Sequence, residues 1–127
     1  MHETIIVFAN FCSVVLNGGI FTLSQALEYQ KHTGVRGVMS ARGLLKNPAM
    51  FAGYDTVPLK CVNRFVELST EYGGALCFAA IHQHCMFMLH PPVLGHAVFA
   101  EFSGLTSVSA IWKFLEEREE ERTIAFI

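Results

Sequence analysis

Apolar positions change their period once along the chain. In the first third they form short runs closed by asparagine or glycine, and beyond Pro48 they recur every three or four residues. Ile5 to Phe8 and Val14 to Leu16 are β-branched or aromatic runs, closed by Asn10 and Asn17, and read as strands. Gly18-Gly19 makes a turn. Thr22 followed by Gln25 is a capping-box pattern and predicts a helix start. Leu23, Ala26, Leu27 and Gln30 share one face of that helix, so its buried stripe is short. Lys31 and His32 suit the last turn, and Gly34 suits a left-handed ending. Val35 to Ser40 reads as a further buried strand, followed at once by Ala41-Arg42-Gly43. Strand, glycine turn, helix, glycine and strand make a βαβ unit, whose strands should lie parallel.

The remainder predicts helices only. Pro58 fits the first turn of a helix reaching about Tyr72, with Val62, Phe65, Val66 and Leu68 buried. Gly73-Gly74 breaks it, and a second helix covers about Ala75 to Leu89 until Pro91-Pro92 stops it. A weaker helix covers Gly95 to Phe102. The last starts near Thr106 or Ser107, with Val108, Ile111, Trp112 and Leu115 on one face. Glu116 to Arg122 reads as a solvated helical end.

Composition sharpens this picture. The 127 residues are 52% hydrophobic and 16% charged, with a formal net charge of −2. Ordinary soluble domains carry about 25% charged residues. A piece of a larger fold reads this way, because surface meant for the remainder stays apolar; the alternative is a small protein with an unusually apolar surface. Asn10, Asn17, Glu28, His82 and His84 interrupt the apolar stretches before the roughly 20 residues of a membrane span. The start lacks the basic flank of a signal peptide, so an intracellular, cytoplasmic protein without a membrane segment is expected. Cys12, Cys61, Cys77 and Cys85 are scattered without metal-site spacing and read as reduced, packed thiols. Mild acidity argues against a free-standing nucleic-acid binder.

Two glycine-bearing turns, each at the carboxyl end of a strand, carry the clearest chemistry: Asn17-Gly18-Gly19-Ile20 and Ala41-Arg42-Gly43. In (β/α)₈ barrels the loops after strands seven and eight often bind phosphate. Backbone N–H groups must converge on the anion, glycine permits the approach, and an arginine adds a charge-assisted contact. Taken alone, each turn is a weak signal that an ordinary βα turn with Arg42 on the surface also explains. His82-Gln83-His84 is a poor metal site, since residues two apart on a helix face different ways; one inward and one outward or RNA-facing histidine is expected, and no metal. Met86 to Leu89 and Trp112 read as packing residues, and Cys85 beside His84 lacks the third group of a nucleophilic arrangement.

The wider text is more specific. The string from Gly37 to Phe51, G-V-M-S-A-R-G-L-L-K-N-P-A-M-F, resembles the eighth barrel strand and following loop of FMN-dependent tRNA-dihydrouridine synthases. So do Asn17 to Ile20, the link Thr33 to Gly37, Pro58-Leu59-Lys60-Cys61 and His82-Gln83-His84, with most similarity to the family's eukaryotic four-like branch. The resemblance implies the last βα units of an incomplete TIM-type barrel over residues 1–53, then a helical domain over residues 54–127. It implies that FMN, reduced by NADPH, passes hydride to C6 of a uracil flipped out of tRNA. It places Asn17, Gly18 and Gly19 at one FMN phosphate turn and Ala41, Arg42 and Gly43 at the other. The helices would help to hold tRNA, with Lys60, Arg64, His84 and Lys113 as contacts.

The sequence departs from that family in three ways. The catalytic cysteine of an N-x-G-C-P motif has no counterpart here, so no catalytic residue is assigned and the chain alone should be inactive. Phe11 to Asn17 resembles a seven-residue insertion, so either Ile5 to Asn10 or Val14 to Asn17 serves as the seventh strand, but not both. Pro91 to Gly104 replaces a basic helical stretch with a nearly uncharged one, which should weaken tRNA binding. Two other readings stand beside the oxidoreductase: a noncatalytic tRNA- or partner-binding helical module, and a different FMN or phosphate barrel enzyme.

Overall fold

The structure, a computed structural model, describes residues 13–72 and 76–124, the last five of these as backbone only. Its contacts divide the chain into two compact units between Thr56 and Val57. The strand expected at Ile5 to Phe8, the break at Gly73-Gly74 and the side chains of Glu120 to Arg122 lie outside the described residues.

In the first unit, β1 (Val15–Asn17) pairs in parallel with β2 (Gly37–Met39), in the register Val15 to Gly37, Leu16 to Val38 and Asn17 to Met39. The crossover is α1 (Leu23–Thr33). Val15 to Asn17 therefore supplies the strand that leads into Gly18-Gly19, and Asn17 ends it. Thr22 is in extended conformation and its Oγ1 accepts the Gln25 N–H at 3.2 Å. The reciprocal bond is displaced by one residue, because Gln25 Oε1 accepts from Phe21 N–H at 2.9 Å. Such a cap contributes about 1 kcal/mol. Gly34 closes the helix at φ 68°, its N–H bonded to the Gln30 carbonyl. The inward line of α1 differs from expectation. Ala26 and Thr33 are buried, one above the other seven residues apart, whereas Leu27 is 56% exposed and Gln30 is exposed. Only one narrow line of so short a helix meets the sheet and the following turn, and Leu27 sits about 100° away from Ala26. A small core of Ile20, Ala26 and Met50, with Val38 against it, fills the unit. Beyond β2 come α2 (Arg42–Lys46) and a 3₁₀ turn, Met50–Ala52. Asn47 is buried and holds this segment, its Nδ2 donating to the Tyr54 carbonyl at 2.6 Å.

Helices are the only regular elements among the described residues of the second unit. Its helices are α3 (Leu59–Glu71), α4 (Phe78–Met88), α5 (Pro91–Leu94), α6 (His96–Ser103) and α7 (Val108–Ile124). The first, second and last of these pack on one another, and α6 packs on α4. Val62, Val66, Cys85, Phe102, Ile111 and Leu115 are fully buried at their centre. Leu68 is 37% exposed and Ser69 takes the inward place, lying seven residues after Val62 on the buried line of α3. Phe87 likewise points outward, while Met88 and Leu89 are buried. Pro91-Pro92 does more than end α4: Pro91 opens α5 at the first helical position, where a missing N–H costs no bond. Ser107 Oγ accepts the Ala110 N–H at 3.2 Å and caps the last helix. Phe114 is buried beside the expected Ile111 and Leu115. The charge run is not wholly solvated. The Arg118 side chain is 24% exposed, 3.3 Å from the Glu101 carboxylate and with its guanidinium 5.1 Å from the Phe114 ring centre. Its guanidinium thus meets a buried ring and a carboxylate at once. No helix among the described residues is long and apolar enough to cross a membrane.

Candidate functional site

The two turns flagged in the sequence end neighbouring parallel strands, so they emerge side by side at the same edge of the sheet. Gly18 and Gly19 have φ of 106° and 69°, and nothing lies within 4 Å of where either Cβ would stand. Their glycines are required by backbone torsion rather than by crowding. Ile20 follows with its side chain buried, anchoring the turn in the core. At the second turn, Ser40 and Ala41 lead into α2, of which Arg42 is the first residue. Gly43 is buried for a different reason. A Cβ there would meet the Ile20 carbonyl oxygen at 2.3 Å, Ser40 Oγ at 2.4 Å and Met50 Sδ at 2.9 Å.

Asn17, Gly18, Gly19, Ile20, Phe21, Ser40, Ala41, Arg42 and Gly43 line one cavity of about 230 Å³. All six residues expected at the phosphate turns are thus brought together. The volume is below the roughly 300–1,000 Å³ of pockets that enclose a drug-sized ligand, so it suits a phosphoryl group better than a whole nucleotide. Arg42 is the charged residue of the lining and is exposed, and no carboxylate joins it there. Lys46 Nζ lies 5.8 Å from the centre of the Phe21 ring, a second cation against a residue of the lining. Ile20, Phe21 and Ser40 were not among the expected site residues. Ile20 and Phe21 follow directly on the first turn and Ser40 directly precedes the second, so all three could have been added by adjacency; the bond from Ser40 to the Ile20 carbonyl could not.

The residues expected to contact RNA are not gathered in this way. Lys60 and Arg64 are exposed on α3, His84 on α4 and Lys113 on α7. Arg64 lies 2.5 Å from the Glu67 carboxylate, whose hydrogen bond and then charge raise its pKa from the ordinary value. Lys113 lies 3.9 Å from Glu117. Both cations are partly neutralised by their own helix. His84 rests against Phe65 and Phe87, with ring centres 5.5 and 6.4 Å away. His82 turns inward between Phe78 and Phe102, and its Nε2–H donates to the Phe102 carbonyl at 3.0 Å. The described residues contain no cluster of three or more histidine, cysteine or acidic side chains able to hold a metal ion. Burial pushes the Cys85 thiol up to about 12, which leaves it inert as a nucleophile.

Known proteins resemble this chain over most of its length. A sequence model of the family described as dihydrouridine synthase matches residues 5–109. A mouse protein named tRNA-dihydrouridine(20a/20b) synthase (NAD(P)+)-like is 39% identical over 112 residues, covering 88% of this chain and 34% of its own length. The human protein of that name is 43% identical over 105 residues, with 82% and 32% covered. The fission yeast Schizosaccharomyces pombe tRNA-dihydrouridine(20a/20b) synthase is 47% identical over 76 residues, with 60% and 23% covered. The chain therefore spans about a third of the length of the mouse and human relatives it matches. With a family match that runs through both strands, both glycine turns and most of the helices, this chain belongs to the dihydrouridine synthase family.

Proposed function

We propose that this chain supplies the last βα units of a TIM-type barrel and the C-terminal helical domain of an FMN-dependent tRNA-dihydrouridine synthase. In this reading Asn17, Gly18, Gly19, Ala41, Arg42 and Gly43 hold the phosphate of FMN. One observation carries it: turns more than twenty residues apart in sequence line a single small cavity whose charged lining residue is a cation. The residues present fit that group. Gly18 and Gly19 leave the space beside their backbone open, and Arg42 can meet a phosphate oxygen. FMN, when bound, supplies the hydride chemistry, with NADPH as reductant and a uridine of tRNA as acceptor. The chain's own share is to bind and orient the phosphate end. Lys60, Arg64, His84 and Lys113 are the proposed tRNA contacts, and an intracellular, cytoplasmic setting follows from that substrate.

The reading is tested by titrating the chain with FMN and with riboflavin, which lacks the phosphate. FMN is expected to bind at least tenfold more tightly, and inorganic phosphate should compete with it. Charge-assisted hydrogen bonds contribute about 1.5–3 kcal/mol. Arg42 is exposed and screened, so Arg42→Ala should lower FMN affinity by about tenfold, the lower end of that range, and leave riboflavin unchanged. Equal affinity for the two flavins would sink the phosphate assignment.

None of the four cysteines lies in an N-x-G-C-P setting, and Cys85 is buried with a raised pKa. The 127-residue chain assayed by itself with FMN, NADPH and unmodified tRNA should therefore form no dihydrouridine. Mass spectrometry of the digested tRNA decides this, and NADPH-dependent product would overturn it.

A further inference from the structure

We infer that Ser40 is a positioning residue of the cavity: its hydroxyl ties the two turns together and fixes the spacing of the cradle. This rests on reading the cavity as a phosphate site. Ser40 Oγ donates to the Ile20 carbonyl at 2.6 Å, across twenty positions of sequence, and both residues line the cavity. The Ile20 side chain is buried against Ala26 and Met50, so its main chain is what it offers to the cavity wall. Gly43 packs directly on this bond, since a Cβ there would lie 2.3 Å from the Ile20 oxygen and 2.4 Å from Ser40 Oγ. The first turn, the hydroxyl and the start of α2 therefore form one stack, with the serine at its centre.

The bond has an electrostatic consequence as well as a geometric one. An anion site needs donors in its wall, and a carbonyl oxygen left without a partner there would repel the ligand. The serine proton occupies that oxygen. Removing it would both loosen the spacing of the turns and leave an unpaired acceptor beside the anion.

The test is a titration with inorganic phosphate, followed by the amide resonances of Gly18, Gly19 and Gly43 in the full chain. Ser40→Ala is expected to weaken phosphate binding by about tenfold. Ser40→Cys, which keeps the side-chain volume but donates weakly, should lose nearly as much even if the alanine variant folds poorly. Ser40→Thr should restore most of the affinity. Riboflavin affinity should not change in any of them, a pattern that general destabilisation would not give. If the unsubstituted chain prefers FMN to riboflavin and both Ser40→Ala and Ser40→Cys bind phosphate as it does, the role of Ser40 is refuted while the cradle stands. If the unsubstituted chain does not distinguish the two flavins, the cradle and the inference fall together.

Discussion

Phe102→Ala is expected to destabilise the helical unit by about 3–5 kcal/mol, the range for emptying a buried phenylalanine site. Phe102 is fully buried and meets aromatic rings on two sides. His82 stacks on it at 5.2 Å with an interplanar angle of 17°, and Phe114 meets it edge-on at 5.1 Å and 65°. Aromatic pairs of this kind contribute about 0.5–1.5 kcal/mol beyond their buried area. The three rings come from α4, α6 and α7, so the cavity left by alanine would open between three helices and could not be filled by moving one. His82 would keep its bond to the residue-102 carbonyl but lose its stacking partner there. Urea unfolding followed by helical circular dichroism measures the loss. Phe87→Ala, at a site 38% exposed, provides the comparison and should cost less than half as much. Equal losses at the two positions would show that the core is not organised around Phe102.

Gly43→Ala should cost about 2–3 kcal/mol, the upper part of the range for overpacking a close-packed site, and should abolish phosphate binding. Two of the three atoms in the way cannot be moved cheaply. One is the Ile20 carbonyl oxygen, part of the main chain of the first turn, and another is Ser40 Oγ, committed to that oxygen. Only the Met50 sulfur, at 2.9 Å, belongs to a flexible side chain, and that side chain is itself fully buried. The added methyl must therefore push the second turn away from the first. Gly104→Ala is the control, because its nearest neighbours would be at 3.5 and 3.9 Å, ordinary contact distances, in a right-handed conformation that alanine accepts. Faster amide exchange through α1 and the β1–β2 pair, together with lost phosphate shifts, is expected for Gly43→Ala alone. Unchanged exchange and binding in that variant would show that the turns have slack that the packing denies.

Local rules placed most of the elements. Thr22 with Gln25, Gly34, the helix start at Pro58 (extended, with the helix proper beginning at Leu59) and the Ser107 cap each involve bonds or torsions within a few residues, and such features can be read without knowing the partner elements. The parallel βαβ unit followed from the same kind of punctuation, confirmed in the pairing of Val15–Asn17 with Gly37–Met39. The two glycine turns were visible because an unusual torsion or a close approach leaves glycine as its mark.

Other features depended on what lies across from a residue. Leu27, Leu68 and Phe87 repeat with the right period yet face outward, because the apolar arc of each helix is wider than the face its neighbours cover. Ser69 and Thr33 are polar positions that hydropathy would leave to solvent, yet both are buried in line with Val62 and Ala26, and Thr33 satisfies its hydroxyl on its own helix by donating to the Tyr29 carbonyl at 2.6 Å. Arg118 lies over Phe114 one turn back on α7 and meets Glu101 of α6, and the second of these contacts is a match between helices rather than along one. Of the two strand-like runs that end in asparagine, the one ending at Asn17 pairs with β2, and the one ending at Asn10 lies outside the described residues. The bond from Ser40 to Ile20 has no signature in the chain at all. Periodicity and capping are properties of neighbours in sequence, so residue order alone fixed them. Which face is covered, which strand pairs and which hydroxyl meets which carbonyl depend on distances between segments, and these exist only once the segments have packed.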